Sequence, residues 1–347
     1  MPFCRCRAVD FAEFSECQAT ERGHKALFNQ PLLDLGEHEN TAFAGVLSPR
    51  DEIGAVRQGV NSVFLENAED YYARYQGFSY WRGLLETILS KIEVTSPDVI
   101  VEYGCGFGNA TLPMLDLFPQ ARVLASDISP NLLAILCRLI ETRSLADRCA
   151  PIAMDALKPY VCEGVADLVF GAAILHHLTR PQDFIASAMR VLKPGGYAFF
   201  FEPLEGGNAM LLHIIREILL EAERRGEWNH PLYCLKRLAE DIRPQVFRGG
   251  PDWAERDDKW AFPRSMLDRM AHEADAEVRV IPLHDNVGQF RRHLTYALET
   301  YVSVPREDVS EWVWDLIDRF DNDTFSPEML VDLALEGCIV FRKRGAA

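Results

Sequence analysis

Three groups of residues in this chain have the types and spacing that ligand chemistry needs. The first is Glu102-Tyr103-Gly104-Cys105-Gly106-Phe107-Gly108. Three glycines at alternate positions let the backbone turn sharply and approach a ligand closely. The G-x-G-x-G spacing is not the G-x-G-x-x-G of a dinucleotide loop, which seats a pyrophosphate at a helix N-terminus. Glu102, just before the turn, would repel pyrophosphate but could accept a hydrogen bond from a cationic amino group. The second group is Asp127, 21 residues beyond Gly106, where a carboxylate can hold two ribose hydroxyls. The third is Asp155, able to reach an adenine amino group. Each acid alone reads as an ordinary loop or cap residue. All three at successive strand ends, in register with the glycine loop, point to a nucleoside-bearing ligand with a cationic end.

The elements that position these residues are short strands alternating with helices. Val99-Ile100-Val101 is a β-branched run ended by glycines, as in a buried parallel strand. A helix follows over Asn109–Phe118, a strand over Arg122–Ala125, and a helix opened by Ser129-Pro130. Strands are expected at Pro151–Met154, Asp167–Phe170 and Tyr197–Phe201, with a helix from Pro181 to Leu192 stopped at Pro194-Gly195-Gly196. Such alternation predicts an α/β fold with a doubly wound, mostly parallel, Rossmann-like sheet. Its ligand crevice lies at the carboxyl ends of the strands. Helical stripes at about 60–75 and 80–92, separated by Gly77, precede the sheet. After Pro203 the chain is mostly helical, with further strands at Ala276–Leu283 and Gly337–Phe341. The expected organisation is an N-terminal arm and helical cap over 1–92, then a binding domain over 93–347 with helical insertions at about 204–262 and 284–334 forming a lid.

Composition narrows the functions. The 347 residues are 48% hydrophobic and 25% charged, as in globular chains. Asp plus Glu outnumber Lys plus Arg 52 to 36, a formal charge of −16, which disfavours a sequence-independent grip on nucleic acid. No apolar run approaches a membrane span and no secretory signal is visible, so no membrane partner is expected. Nine cysteines without a CxxC pair read as reduced cytosolic thiols, giving a cytoplasmic expectation. Cys4, Cys6 and Cys17, with His24 as a fourth candidate, are weighed as a metal cluster and read as a loose terminal arm, so no metal is expected.

The segments VIVEYGCGFGNAT, VLASDISP, AMDA, DLVFGAAILHHL and RVLKPGGYAFFFEP, in that order across residues 98–204, resemble the class I S-adenosylmethionine-dependent methyltransferases. The likeness is to the branch that holds quinone-biosynthesis and small-molecule enzymes. It implies S-adenosylmethionine as cofactor. Glu102 with Gly104, Gly106 and Gly108 would hold its methionine part, and Asp127 its ribose. Ile128 would pack on adenine, Asp155 and Ala156 would line the adenine edge, and Gly171 and Ala172 would flank the sulfonium. Tyr72, Tyr75 or Tyr80 would lie near the cofactor under a helical lid, or pack in the core. Trp228, Trp253, Trp260 and Phe262 would roof an acceptor site or form the insertion's own core.

The resemblance also assigns a reaction: methyl transfer to a small organic acceptor, an O-methylation in the biosynthesis of a specialised metabolite. Non-methylating chemistry such as cyclisation, and N- or C-methylation, are the alternatives. A sulfonium is already a strong electrophile, so alignment of the acceptor is the main task. A hydroxyl acceptor also needs a base, and histidine titrates in the right range. His176 matches the catalytic histidine of plant-type small-molecule O-methyltransferases, although the Asp-Trp expected next is His177-Leu178 here. His177 reads as a structural histidine or a second catalytic candidate. Glu202 binds acceptor or caps a loop. A homo-oligomer is left open.

Overall fold

The computed structural model describes residues 24, 26–54, 67–92, 94–250, 252–283 and 286–345. Cys4, Cys6, Cys17, Val63 and Phe64 lie outside the described residues.

A nine-stranded sheet organises the chain. Its strands are β1 (Leu32–Asp34), β2 (Leu47–Pro49), β3 (Val99–Tyr103), β4 (Arg122–Asp127), β5 (Cys149–Ala153), β6 (Ala166–Ala172), β7 (Leu192–Pro203), β8 (Ala276–Pro282) and β9 (Glu336–Lys343). Their spatial order is β1-β2-β5-β4-β3-β6-β7-β9-β8. The strands from β2 to β7 pair in parallel, and β9 inserts antiparallel between β7 and β8. The sheet grows from β3 in both directions, so the strand order switches between β3 and β6. An open α/β sheet leaves its crevice there, outside the carboxyl ends of the strands.

The helices are α1 (Ala68–Tyr75), α2 (Phe78–Leu89), α3 (Thr111–Leu117), α4 (Pro130–Thr142), α5 (Pro181–Val191), α6 (Glu205–Arg225), α7 (His230–Phe247), α8 (Arg264–Glu273), α9 (Gln289–Tyr301), α10 (Glu311–Arg319) and α11 (Pro327–Asp332). All five side chains of β3 are buried, because helices cover both faces of the sheet. Val99 and Val101 pack with Val169, Phe200, Phe184 of α5 and Leu267 of α8. Ile100 points the other way, among Leu85 of α2, Leu112 of α3 and Leu136 of α4. This alternation follows the two-residue period of a strand. Local signals set the helix starts: the Ser129 side chain accepts from the Leu132 N–H, with Pro130 at the first helical position.

One feature differs from the sequence expectation and two others extend it. β1 and β2 add an edge to the sheet beside β5; strands of three residues are too short to show a period. The helix from Pro181 ends at Val191, ahead of Pro194-Gly195-Gly196 as expected, and these residues run inside β7, where pairing with β6 jumps from Ala166–Leu192 to Leu168–Tyr197. Gly195 at φ +79° supplies the left-handed residue such an irregularity uses. The insertions also share a core of their own: Leu211, Ile214 and Ile218 of α6 pack with Leu235 of α7, Phe290 and Leu294 of α9, and Trp314 of α10.

The cap helices are fastened to the sheet at the glycine loop. Phe107 is buried under α1, with Tyr72 edge-on at 5.0 Å. Asn109, just after the loop, clamps the α1–α2 link: its Oδ1 accepts the Gly77 N–H and its Nδ2 donates to the Tyr75 carbonyl, both at 2.9 Å. Each such bond contributes about 1 kcal/mol net. Asn109→Ala is therefore expected to speed amide hydrogen exchange across residues 68–78 roughly tenfold while exchange in β3 and β4 stays slow. Unchanged exchange in that segment would show that the clamp does not hold the cap.

Candidate active site

The carboxyl edge of the sheet carries the predicted groups in a row. Asp127 ends β4 opposite Ala153 of β5, with Asp155 two residues beyond. Glu102 in β3 lies between Ala125 of β4 and Phe170 of β6, and Gly171 and Ala172 end β6 beside Phe200 and Phe201 of β7. Adjacent strands are about 4.8 Å apart. The three intervals from β5 to β6 therefore span about 14 Å, the length of an extended nucleoside joined to an amino acid.

Glu102 is fully buried and its Oε2 accepts the Thr111 hydroxyl at 2.5 Å. Burial pushes its carboxyl up to about 8; the Thr111 hydrogen bond opposes this and the Asp127 charge adds to it. Among the described residues no cation acts on it, so the site suits an incoming ammonium. Gly104 and Gly108 have φ of +69° and +96°. A Cβ on Gly108 would stand 2.6 Å from Leu136 Cδ1, so the loop needs glycine there for both space and conformation.

Asp127 joins two turns. Its Oδ2 accepts the Gly106 N–H and its Oδ1 the Ser129 N–H, each at 2.8 Å. Burial raises its pKa and those N–H groups lower it. Each oxygen keeps lone pairs for a diol. Asp155 Oδ1 accepts the Leu157 N–H at 2.9 Å, fixing the turn that carries Ala156. Ile128 is half-buried beside Asp127. The structure thus brings the ten predicted binding positions to one edge.

The histidines are held differently. Glu202, buried at the end of β7, accepts the backbone N–H groups of Ile174, Leu175 and His176 at 3.0, 2.7 and 3.2 Å. His176 Nδ1 donates to the same carboxylate at 2.6 Å, and its Nε2 faces Asp258 Oδ1 at 3.4 Å. Burial alone would lower this imidazole's pKa, but the two carboxylates outweigh that and lift it to about 10. The two carboxylates favour the imidazolium form, which does not accept a proton. Glu202 caps the turn after β6. His177 Nδ1 donates to the Asp257 carbonyl at 3.0 Å, and burial and the charge of His176 lower its pKa.

The tryptophans pack against one another and their neighbours. Trp253 meets Trp260 edge-on at 4.9 Å, and their indole N–H groups donate to the carbonyls of Lys259 and Leu178. Trp260 stacks on buried Phe262. They pack the 252–262 segment onto the His176-His177 turn. Trp228 lies partly exposed against Tyr233.

A second set of side chains meets beyond β7. Glu336 opens β9 opposite Pro203, and its charge acts on Tyr80, His293 and Tyr301. Burial lowers the His293 pKa, with Glu336 partly opposing, so this imidazole is neutral near pH 7. Burial pushes the Tyr71 phenol up to about 12, aided by Asp127, Tyr75 and Tyr296. Arg74 of α1 donates to the Thr300 carbonyl of α9 at 2.6 Å and closes the cap over this side. His293, Tyr296 and Glu336 were not singled out from sequence. Their signal was weak: two polar residues three apart on the flank of an apolar stripe, and an acid before a strand.

Residues 100–196 match the family model described as a methyltransferase domain. A malonyl-[acyl-carrier protein] O-methyltransferase of Hahella chejuensis is 33% identical over 32% of this chain and 38% of its own length. A trans-aconitate 2-methyltransferase of Methylobacterium nodulans is 32% identical over 31% of this chain and 40% of its own. The chain thus spans about two fifths of the length of the curated relatives it matches. Among solved structures, phosphoethanolamine N-methyltransferase 2 of Haemonchus contortus shares 14% identity, covering 80% of this chain and 60% of its own, at a TM-score of 0.43, a likeness that carries no functional weight. No described helix is long and apolar enough to cross a membrane. Residues 100–196 thus carry a methyltransferase domain, set on an open, mostly parallel Rossmann-like sheet.

Proposed function

We propose that this protein transfers a methyl group from S-adenosylmethionine to a hydroxyl oxygen of a small, largely apolar or aromatic acceptor. The observation that carries the reading is the row Asp155, Asp127, Glu102, Gly171 along one sheet edge. The cofactor, when bound, supplies an activated methyl group. Glu102 takes its ammonium, Asp127 its ribose diol, Asp155 and Ile128 its adenine, and Gly171 and Ala172 leave room at the sulfur. Tyr71, Tyr296 and Tyr301 offer aromatic surface that suits an aromatic or apolar acceptor. His293 accepts the hydroxyl proton as the oxygen attacks, and Glu336 stabilises the imidazolium that results. The trans-aconitate in the name of one curated relative supports a small acceptor.

Calorimetry is expected to show S-adenosylmethionine binding at micromolar Kd or tighter, and Asp127→Ala to weaken it about 10–100-fold by removing charge-assisted hydrogen bonds. Turnover should release S-adenosylhomocysteine. Methylthioadenosine as product would replace methyl transfer with cyclisation of the cofactor, and tight NADH binding without a response to S-adenosylmethionine would defeat the reading altogether.

A further inference from the structure

The geometry points to a divalent transition-metal site built from His176, His177 and Asp258, with zinc as the ion its donors suit. The three residues come from two distant stretches: the turn after β6 and the loop before α8. One ligand atom of each lies within 4.8 Å of the others. Asp258 Oδ1 is 3.4 Å from His176 Nε2 and 3.5 Å from His177 Nδ1. Zinc bonds of about 2.0–2.1 Å in tetrahedral geometry place neighbouring ligand atoms about 3.3–3.4 Å apart. The two separations from Asp258 match that edge length, whereas a hydrogen-bonded ion pair would close to about 2.7–2.9 Å.

The surroundings add a second observation. Metal-ligating histidines generally donate their other ring nitrogen to a carboxylate or carbonyl, which fixes ring and tautomer. His176 Nδ1 does this with Glu202 at 2.6 Å, and Glu202 is itself anchored by three backbone N–H groups. Asp258 is carried on a pinned loop: the Lys259 N–H donates to the His176 carbonyl at 2.8 Å, and the Trp253 indole donates to the Lys259 carbonyl at 2.7 Å. His176 is 12% exposed, but His177 is 36% and Asp258 51% exposed. An ion can therefore enter from solvent, and its fourth position faces outward, open to water or an oxygen ligand. On binding, His176 Nε2 gives its proton to solvent. His177 moves its proton from Nδ1 to Nε2, releasing the Asp257 carbonyl and turning the Nδ1 lone pair to the metal.

The test uses the full chain without S-adenosylmethionine, so it is independent of whether methyl transfer occurs. Zinc chloride titrated calorimetrically into chelator-treated protein is expected to bind one to one and to raise the melting temperature. Cobalt(II) should give intense visible bands of four-coordinate N,O ligation. His177→Ala and Asp258→Asn should each weaken zinc at least tenfold, with melting in its absence like the parent's. Should either variant fold poorly, the cobalt spectrum of the parent decides. A sulfur-to-cobalt charge-transfer band would place the ion on cysteines and overturn the assignment. So would the absence of saturable binding, or zinc affinity unchanged in both variants.

Discussion

His293→Ala is expected to lower turnover by ~10²–10⁴-fold while leaving cofactor affinity within a factor of two or three. A positioned base contributes in that range when a hydroxyl must lose its proton in the transition state. The cofactor's contacts lie elsewhere, on Glu102, Asp127 and Asp155. Burial holds the His293 pKa below its ordinary 6.5, so the imidazole is a proton acceptor throughout the neutral range. Turnover of the parent should rise with pH through that lowered pKa and then level; in His293→Ala this limb should vanish. Any hydroxyl acceptor that supports S-adenosylhomocysteine release can serve for the measurement. Tyr296→Phe, one turn away, removes a hydroxyl but no base and is expected to change the profile little. If His293→Ala turns over at the parental rate with the acid limb intact, the base lies elsewhere or the acceptor is an amine already neutral when bound.

The contrast between His293 and His176 shows what a sequence can carry. The cofactor edge was legible because its residues are local to the elements that place them: an acid or glycine directly after a β-branched run must sit at that strand's carboxyl end. Glu102 follows Val99-Ile100-Val101 directly, and Asp127, Asp155 and Gly171 stand at or just past the carboxyl ends of their own strands. The state of His176 was not legible, because it is set by Glu202 and Asp258, which lie 26 and 82 positions further along the chain. Nothing near His176 distinguishes a free imidazole from one between two carboxylates. His293 was hidden for another reason. The stripe Phe290, Leu294, Ala297 and Tyr301 identifies a helix with one buried side, and His293 and Tyr296 stand on its flank. Whether a flank meets solvent or a cleft depends on the helix packed next to it, here α1 through Arg74 and Tyr71. The same limit applies to β1 and β2, whose strand character comes from pairing beside β5.

Glu102→Gln separates binding from folding, because the two should move in opposite directions. In the unliganded protein the carboxyl titrates at about 8, above its ordinary 4.5, chiefly through burial. A group whose folded pKa is raised contributes stability that is complete below the unfolded pKa and is lost as pH climbs to the folded one. The parent should therefore lose stability between about pH 4.5 and 8, on the order of a few kcal/mol for a shift of this size. The glutamine variant keeps the shape and the Thr111 contact without a charge to bury. It should lack that loss and melt at or above the parent at pH 8. Cofactor binding should do the reverse. An ammonium placed against Glu102 favours the carboxylate, so parental affinity is expected to rise up to about tenfold per pH unit between pH 6 and 8, with release of up to one proton. Calorimetry in two buffers of different ionisation enthalpy reads that proton directly. Glu102→Gln should bind about 10–100-fold more weakly at pH 8, as the loss of a charge-assisted bond implies, with no proton released and a flat pH profile. Parental affinity in the variant, together with unchanged proton release, would remove Glu102 from the cofactor site and leave its buried charge as a feature of the fold alone.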